Sequence, residues 1–171
     1  MTSFDDSFAA LIGNEGGYTT DRNDRGNWTS GQVGIGQLKG TKYGISAMSY
    51  PTIDIANLTL DAAKQIYRRD YWNKFNGDQL DPALAFQVFD GAVNSGVSAA
   101  VKWLQQAAGT PADGMFGPAT MAAITAHVPG ALICAFNGYR LKYMAAAATW
   151  PTYSKGWAIR IADNLIKGAA A

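Results

Sequence analysis

The side chains best suited to chemistry gather near the start of this chain. Glu15 stands in Asn14-Glu15-Gly16-Gly17-Tyr18, directly after a short amphipathic stretch. Of the 13 acidic residues, Glu15 is the one glutamate; all the others are aspartates. A carboxyl at a helix end, beside an aromatic ring, is a candidate general acid. Partial desolvation there raises its pKa and keeps the proton on. The two glycines behind it let the backbone turn and leave room for a bulky substrate. The plainer alternative is a solvated glutamate beside a turn. Asp24 follows nine residues later, in Asp21-Arg22-Asn23-Asp24-Arg25-Gly26. Two carboxyl groups roughly 5–9 Å apart are what hydrolysis of a glycosidic bond requires. The alternative for Asp24 is an Asx-turn, or a surface ion pair with Arg22 or Arg25.

A third set lies further on. Gln87, Asp90 and Asn94 fall at i, i+3 and i+7 of one apolar segment, so they share a helix face. A buried aspartate needs partners. These residues either tie the helix to the glycine-rich lobe or line a sugar-binding cleft. His127 falls at a helix end, where it can meet the last carbonyls.

The elements that must position these groups are mostly helical. Phe4, Phe8, Leu11 and Ile12 form a helical stripe, with Ser3 placed to cap it. From Arg25 to Gly44 the pattern changes: six of the 19 glycines lie here, and Val33 and Ile35 alternate with Gly34 and Gly36. That predicts a short hairpin or irregular β-lobe. Thr59 caps a helix to about Phe75, and Asp81-Pro82 starts another through ALAFQVFDGAVNS, apolar on most sides and so central. Further helices are expected over 98–109, from Gly117-Pro118 to about His127, over 131–148 and over 154–167. The fold class is mainly α with a small N-terminal β-hairpin lobe.

Composition narrows the classes of function. At 171 residues and 48% apolar, the chain fills one core or two small ones. A net charge of +1 argues against a dedicated nucleic-acid binder. One cysteine, Cys134, and one histidine exclude an intrachain disulfide and multi-Cys or multi-His metal sites. No P-loop, Rossmann or zinc-protease pattern is present, and no cofactor or metal is expected. The start of the chain has acidic first charges and a short apolar run, unlike a secretory signal. The expectation is a soluble, monomeric cytoplasmic product without stable membrane insertion, which reaches the periplasm only after the membrane is permeabilised. Trp157, Ile161, Leu165 and Ile166, with Lys155, Arg160 and Lys167, form an amphipathic stripe at the C-terminal end. Core packing explains it better than membrane disruption does.

The ordered set of motifs resembles glycoside hydrolase family 108, the lysozyme-like N-acetylmuramidases of phage endolysins and related bacterial proteins. The set runs Glu15-Gly16-Gly17-Tyr18, Asn23-Asp24-Arg25-Gly26, Thr41-Lys42-Tyr43-Gly44-Ile45, Ile66-Tyr67, Tyr71-Trp72, Val88-Phe89-Asp90 and Val93-Asn94-Ser95-Gly96. Leu104-Gln105, Asp113-Gly114-Met115-Phe116-Gly117-Pro118 and Thr120 are similar to the peptidoglycan-binding segment that follows. Gly156-Trp157 and Arg160 match the usual ending.

The resemblance implies a lysozyme-like fold, with residues 1–95 as the catalytic region and 96–171 as a peptidoglycan-binding-like helical region packed into the same globule. It implies hydrolysis of the β-1,4 bond between N-acetylmuramic acid and N-acetylglucosamine. Glu15 would be the proton donor, Asp24 the loop acid, and Thr41 the threonine of the Glu, Asp and Thr set. Tyr18, Trp28 and Tyr43 would offer flat faces to sugars, and Gln87, Asp90 and Asn94 would complete the substrate-binding set. Peptidoglycan glycan strands are the implied partner. Trp28 to Gly40 looks like an insertion that lengthens the hairpin, which makes Thr29 a competitor for the role of Thr41.

Overall fold

The glycine-rich stretch and the helical remainder separate into two compact units, residues 8–68 and the rest of the chain. The structure, a computed structural model, describes residues 4–12 and 17–169. The expected capping of the first helix by Ser3 and the position of Glu15 therefore lie outside the described residues.

In the first unit, helix α1 (Phe4–Ile12) contributes its C-terminal part, where Phe8 packs edge-on against Tyr67 at 5.4 Å. Tyr67 lies on α2 (Leu60–Asp70), whose start is capped by the Thr59 hydroxyl accepting from Ala62 N at 3.2 Å. Between them runs the β-lobe. Strands β1 (Thr41–Lys42) and β2 (Ile45–Ser46) pair antiparallel, with Thr41 opposite Ser46. The two-residue turn has Tyr43 at φ 51° and Gly44 at φ 74°, both in the left-handed region that such hairpins demand. A side chain on Gly44 would run into the Tyr67 hydroxyl, which donates to Tyr43 O at 3.1 Å.

Of the two readings of the stretch around Val33 and Ile35, a short hairpin or an irregular lobe, the structure takes the irregular one. Both residues are exposed, at 53% and 56%, and lie in turns and bends beyond the single bridge Trp28–Leu38. Gly31, Gly34 and Gly36 all have φ between 71° and 80°, so the backbone cannot stay extended.

In the helical unit, α3 (Pro82–Ser95) is central. Asp81 caps it through Oδ1, which accepts from Ala83 N at 3.0 Å and Leu84 N at 3.2 Å. Every residue from Ala83 to Ala92 is buried, because α3 packs against α4 (Val97–Ala107), α6 (Pro129–Ala145) and α7 (Trp150–Ala169). Gly91 allows this closeness: a Cβ there would stand 2.9 Å from the Phe136 ring. Phe4, Trp72, Phe75 and Phe89 pack edge-to-face at 5.4–5.8 Å. The helix predicted to run to Phe75 ends at Asp70 and continues as short 3-10 turns over Trp72–Phe75 and Gly77–Gln79. Gly96, at φ 90°, lets α4 follow α3 at once, so the expected boundary between residues 95 and 96 falls inside this unit.

Helix α5 (Pro118–Thr125) follows a loop organised by Gln105. Its Nε2 lies 2.8 Å from Asp113 Oδ1 and 3.0 Å from both Met115 O and Thr120 Oγ1, and its Oε1 accepts from Gly114 N at 2.9 Å. Hydrogen bonds from Met115 N and Gln105 hold the Asp113 carboxyl below the usual carboxylate range. A ring nitrogen of His127 lies 3.3 Å from Ala108 O, at the end of α4 rather than of its own helix. No single described helix is long and apolar enough to cross a membrane.

Candidate active site

The loop between α1 and β1 is knit around a residue that sequence reasoning missed, Asn27. It is fully buried. Its Oδ1 accepts from the Thr41 hydroxyl at 2.7 Å, and its Nδ2 donates to Asp21 O at 2.9 Å. Its own carbonyl accepts from Lys39 N and Gly40 N, both at 3.0 Å, and its amide donates to Asp24 O at 3.1 Å. One side chain thus joins the loop carrying Asp24 to the strand carrying Thr41. Nothing in local sequence marks it, because its partners lie up to 14 positions away.

Asp24 is exposed and caps the 3-10 turn Arg25–Asn27, with Oδ1 accepting from Gly26 N at 2.8 Å. It therefore makes the Asx-turn that was the plainer reading of this residue. Its Oδ2 has no hydrogen-bond partner among the described residues. Thr41 is half-buried, and its backbone exchanges two 2.9 Å hydrogen bonds with Thr19, the residue after Tyr18. The hydroxyl of Thr29 accepts from Gln37 N at 3.0 Å and so closes the hairpin turn.

The aromatic candidates divide. Tyr18 is 46% exposed, and its hydroxyl donates to Lys39 O at 3.1 Å. It walls a groove of about 330 Å³ together with Leu38, Thr52, Asp54 and Ile55. Tyr43 is half-buried, with Lys42 Nζ 5.4 Å from its ring centre. Trp28 does not fit the expectation of a free sugar platform. It is 8% exposed, and its indole N–H donates to Arg22 O at 3.0 Å, so its faces are enclosed by its own loop.

Asp54 is a second residue that sequence reasoning missed. It lines the same groove as Tyr18. Its Oδ2 accepts from Asn57 Nδ2 at 2.9 Å, and the hydrogen bonds from Asn57 hold it below the usual carboxylate range. An ionised carboxylate beside a tyrosine suits the hydroxyls of a sugar ring. The signal in the sequence was only an aspartate between two isoleucines.

Gln87 and Asp90 correct the expectation that they bind substrate. Both are buried and serve the helical unit. Gln87 Nε2 donates to Asn164 O at 2.8 Å, and its Oε1 accepts from Asn137 Nδ2 at 3.0 Å. Asp90 accepts from Arg140 Nη1 at 2.6 Å, Arg160 Nη2 at 2.5 Å and Asn164 Nδ2 at 2.7 Å. Burial pushes its carboxyl up, but the Arg160 hydrogen bonds and the charges of Arg140 and Arg160 prevail and hold it below the usual range. No oxygen of Asp90 is left to meet a sugar. Asn94 is exposed near the end of α3, its Oδ1 accepting from the Ser95 hydroxyl at 3.2 Å.

Asn27→Ala leaves the Thr41 hydroxyl and Asp21 O without their partner and is expected to cost about 1–3 kcal/mol. Urea unfolding measures this. An unchanged midpoint would show that the loop holds without that hub.

Comparison with known proteins places the chain in a family. The sequence model of the family described as Glycosyl hydrolase 108 matches residues 8–96. A model described as a putative peptidoglycan binding domain matches residues 80–124. A solved structure titled "Structure of Brucella abortus SagA" is similar to this chain with a TM-score of 0.80 and 28% identity, covering 98% of this chain and 94% of that one. No curated protein matches. With more than half of its length under the first of these models, the chain belongs to the glycosyl hydrolase 108 family, and with a peptidoglycan-binding segment beside it, it is a glycosidase that degrades the bacterial cell wall.

Proposed function

We propose that this enzyme is an N-acetylmuramidase of the endolysin type, which cuts the β-1,4 bond between N-acetylmuramic acid and N-acetylglucosamine. The observation that carries the reading is the place of Glu15 in the sequence. The chain's one glutamate falls within the matched region 8–96, three residues beyond the end of α1. Protonated, Glu15 gives its proton to the bridging oxygen as the bond to the anomeric carbon breaks. Positive charge then develops on the sugar ring. Asp24, with one carboxylate oxygen unengaged among the described residues, stabilises that charge or orients the incoming water. The hydroxyl proton of Thr41 is held by Asn27, which leaves its lone pairs to accept from that water. Tyr18, Tyr43 and Asp54 bind the flanking sugars.

In this reading residues 1–95 supply catalysis and 96–171 supply wall affinity. The protein acts as a monomer, is made in the cytoplasm of an infected host, and lyses that host once the membrane has been opened.

Mass spectrometry of a sacculus digest tests the reaction. New reducing N-acetylmuramic acid ends, enlarged by one water per cut, are expected. Anhydro-muramic ends would assign the chain to the lytic transglycosylases instead, and new reducing N-acetylglucosamine ends would overturn the bond assignment.

A further inference from the structure

A broad groove opens on the helical unit. It encloses about 710 Å³ between α4 and α6. Helical spacing builds it. Ser98, Lys102 and Trp103 project from one face of α4, and Tyr139, Lys142 and Tyr143 from one face of α6. Small side chains, Ser95, Ser98 and Ala99, leave one end of the α4 wall low.

The lining has a definite chemistry. Among the described residues it holds two lysines and no acidic side chain. Neither lysine is in an ion pair among the described residues, although Lys102 feels the nearby Asp113 carboxylate. The aromatic wall is braced. Trp103 is buried and packs edge-on to Phe136 at 5.9 Å, and Tyr143 leans on it at 5.3 Å while staying 55% exposed. Tyr139 is 37% exposed. Rigid, half-exposed rings beside unpaired cations suit a ligand with flat apolar faces and carboxylates. A glycan of N-acetylglucosamine alone has the faces without the carboxylates, and a bare muramic acid strand adds one lactyl carboxylate on every second sugar. A glycan bearing acidic stem peptides has both. The matched peptidoglycan-binding segment, residues 80–124, includes the α4 wall and stops short of the α6 wall.

We propose that the α4–α6 groove binds the stem-peptide-bearing part of peptidoglycan, with Lys102 and Lys142 pairing its carboxylates and Tyr139 and Tyr143 packing on the sugar and peptide backbone. Helix α6 thereby completes a site of which the matched segment supplies only one wall. The inference rests on the reading of the chain as a peptidoglycan-acting enzyme, and it assigns that affinity to a place and a charge.

The test uses the full chain and a soluble probe, the N-acetylglucosamine–N-acetylmuramic acid disaccharide carrying an acidic tetrapeptide. This probe lacks the bond that the enzyme is proposed to cut. In a nitrogen–proton NMR titration, the amides of Ser98, Lys102, Tyr139 and Tyr143 are expected to shift. The uncharged N-acetylglucosamine dimer is expected to leave them in place. The double variant Lys102→Gln/Lys142→Gln, folded with an unchanged melting temperature because both lysines are exposed, is expected to bind the probe at least tenfold more weakly. Tyr143→Ala should weaken it severalfold. Wild-type affinity in the double variant, shifts confined to residues 17–68, or equal shifts with the uncharged dimer would each overturn the proposal. Since no cleavage is measured, failure here leaves the muramidase reading intact, and an enzyme that binds through this groove but cuts no wall would sink only the latter.

Discussion

Glu15→Gln is expected to give a folded protein that clears permeabilised Gram-negative cells about 10²–10⁴ times more slowly than the parent, the range by which a positioned general acid accelerates such a step. Glutamine keeps the size and hydrogen-bonding reach of the side chain but has no proton to give to the departing oxygen. Turbidity clearing measures the rate, and circular dichroism with a melting curve checks that the fold is intact. Clearing at the parental rate would remove Glu15 from the mechanism. Asp24→Asn separates the two readings of its neighbour in the same assay. If the carboxylate meets the developing positive charge, the rate falls while the melting temperature holds. If it serves only the turn through Gly26 N, the melting temperature drops while the rate stays.

The second large effect is on stability, at Asp90→Asn. Asp90 and Arg140 are buried, and Arg160 reaches the same carboxylate. Removing the negative charge leaves Arg140 charged in the interior, where its Nε and Nη2 already have no hydrogen-bond partner among the described residues. Breaking one side of a buried pair costs about 3–5 kcal/mol. For a chain of this size that lowers the melting temperature by roughly 6–20 °C. Arg140→Met in the Asp90→Asn background is expected to return part of the loss, because the stranded charge goes with it.

Acid should reveal the same cluster. The folded carboxyl of Asp90 titrates below its unfolded value of about 3.9. Its stabilisation is therefore complete above that value and is lost as the pH falls through the lower, folded pKa. Melting curves of the parent should drop steeply below about pH 4, and those of Asp90→Asn should drop less. Parallel acid profiles would show that Asp90 is not the group responsible.

These two residues also show where sequence reading succeeds and where it stops. Asp81-Pro82 and Thr59 announced helix starts because a cap bonds to amides two or three residues ahead. The apolar run after Asp81 announced a central helix because no exposed face could be drawn on it. Asp90 was legible as a polar residue in that run, and so as one in need of partners. Its partners, 50 to 74 positions away, were not legible, since helical period says which face a residue occupies and not which helix will cover it. Trp28 failed in the same way. An aromatic in a glycine-rich loop reads equally as a platform or a plug, and only the fold of the loop, turned back so that Arg22 O meets the indole, made it a plug.

The order and type of the helices, the presence of a small glycine-rich β-lobe and the family were determined by the sequence itself, because each depends on residues close together or on motifs in fixed order. Tertiary structure alone decided that Asn27 binds Thr41 to the Asp24 loop, that Asp54 joins Tyr18 along one groove, that Gln87 and Asp90 face inward, and that α4 and α6 meet in a lysine-flanked trough. Those outcomes depend on which distant surfaces close upon each other, and chain neighbours carry no record of that choice.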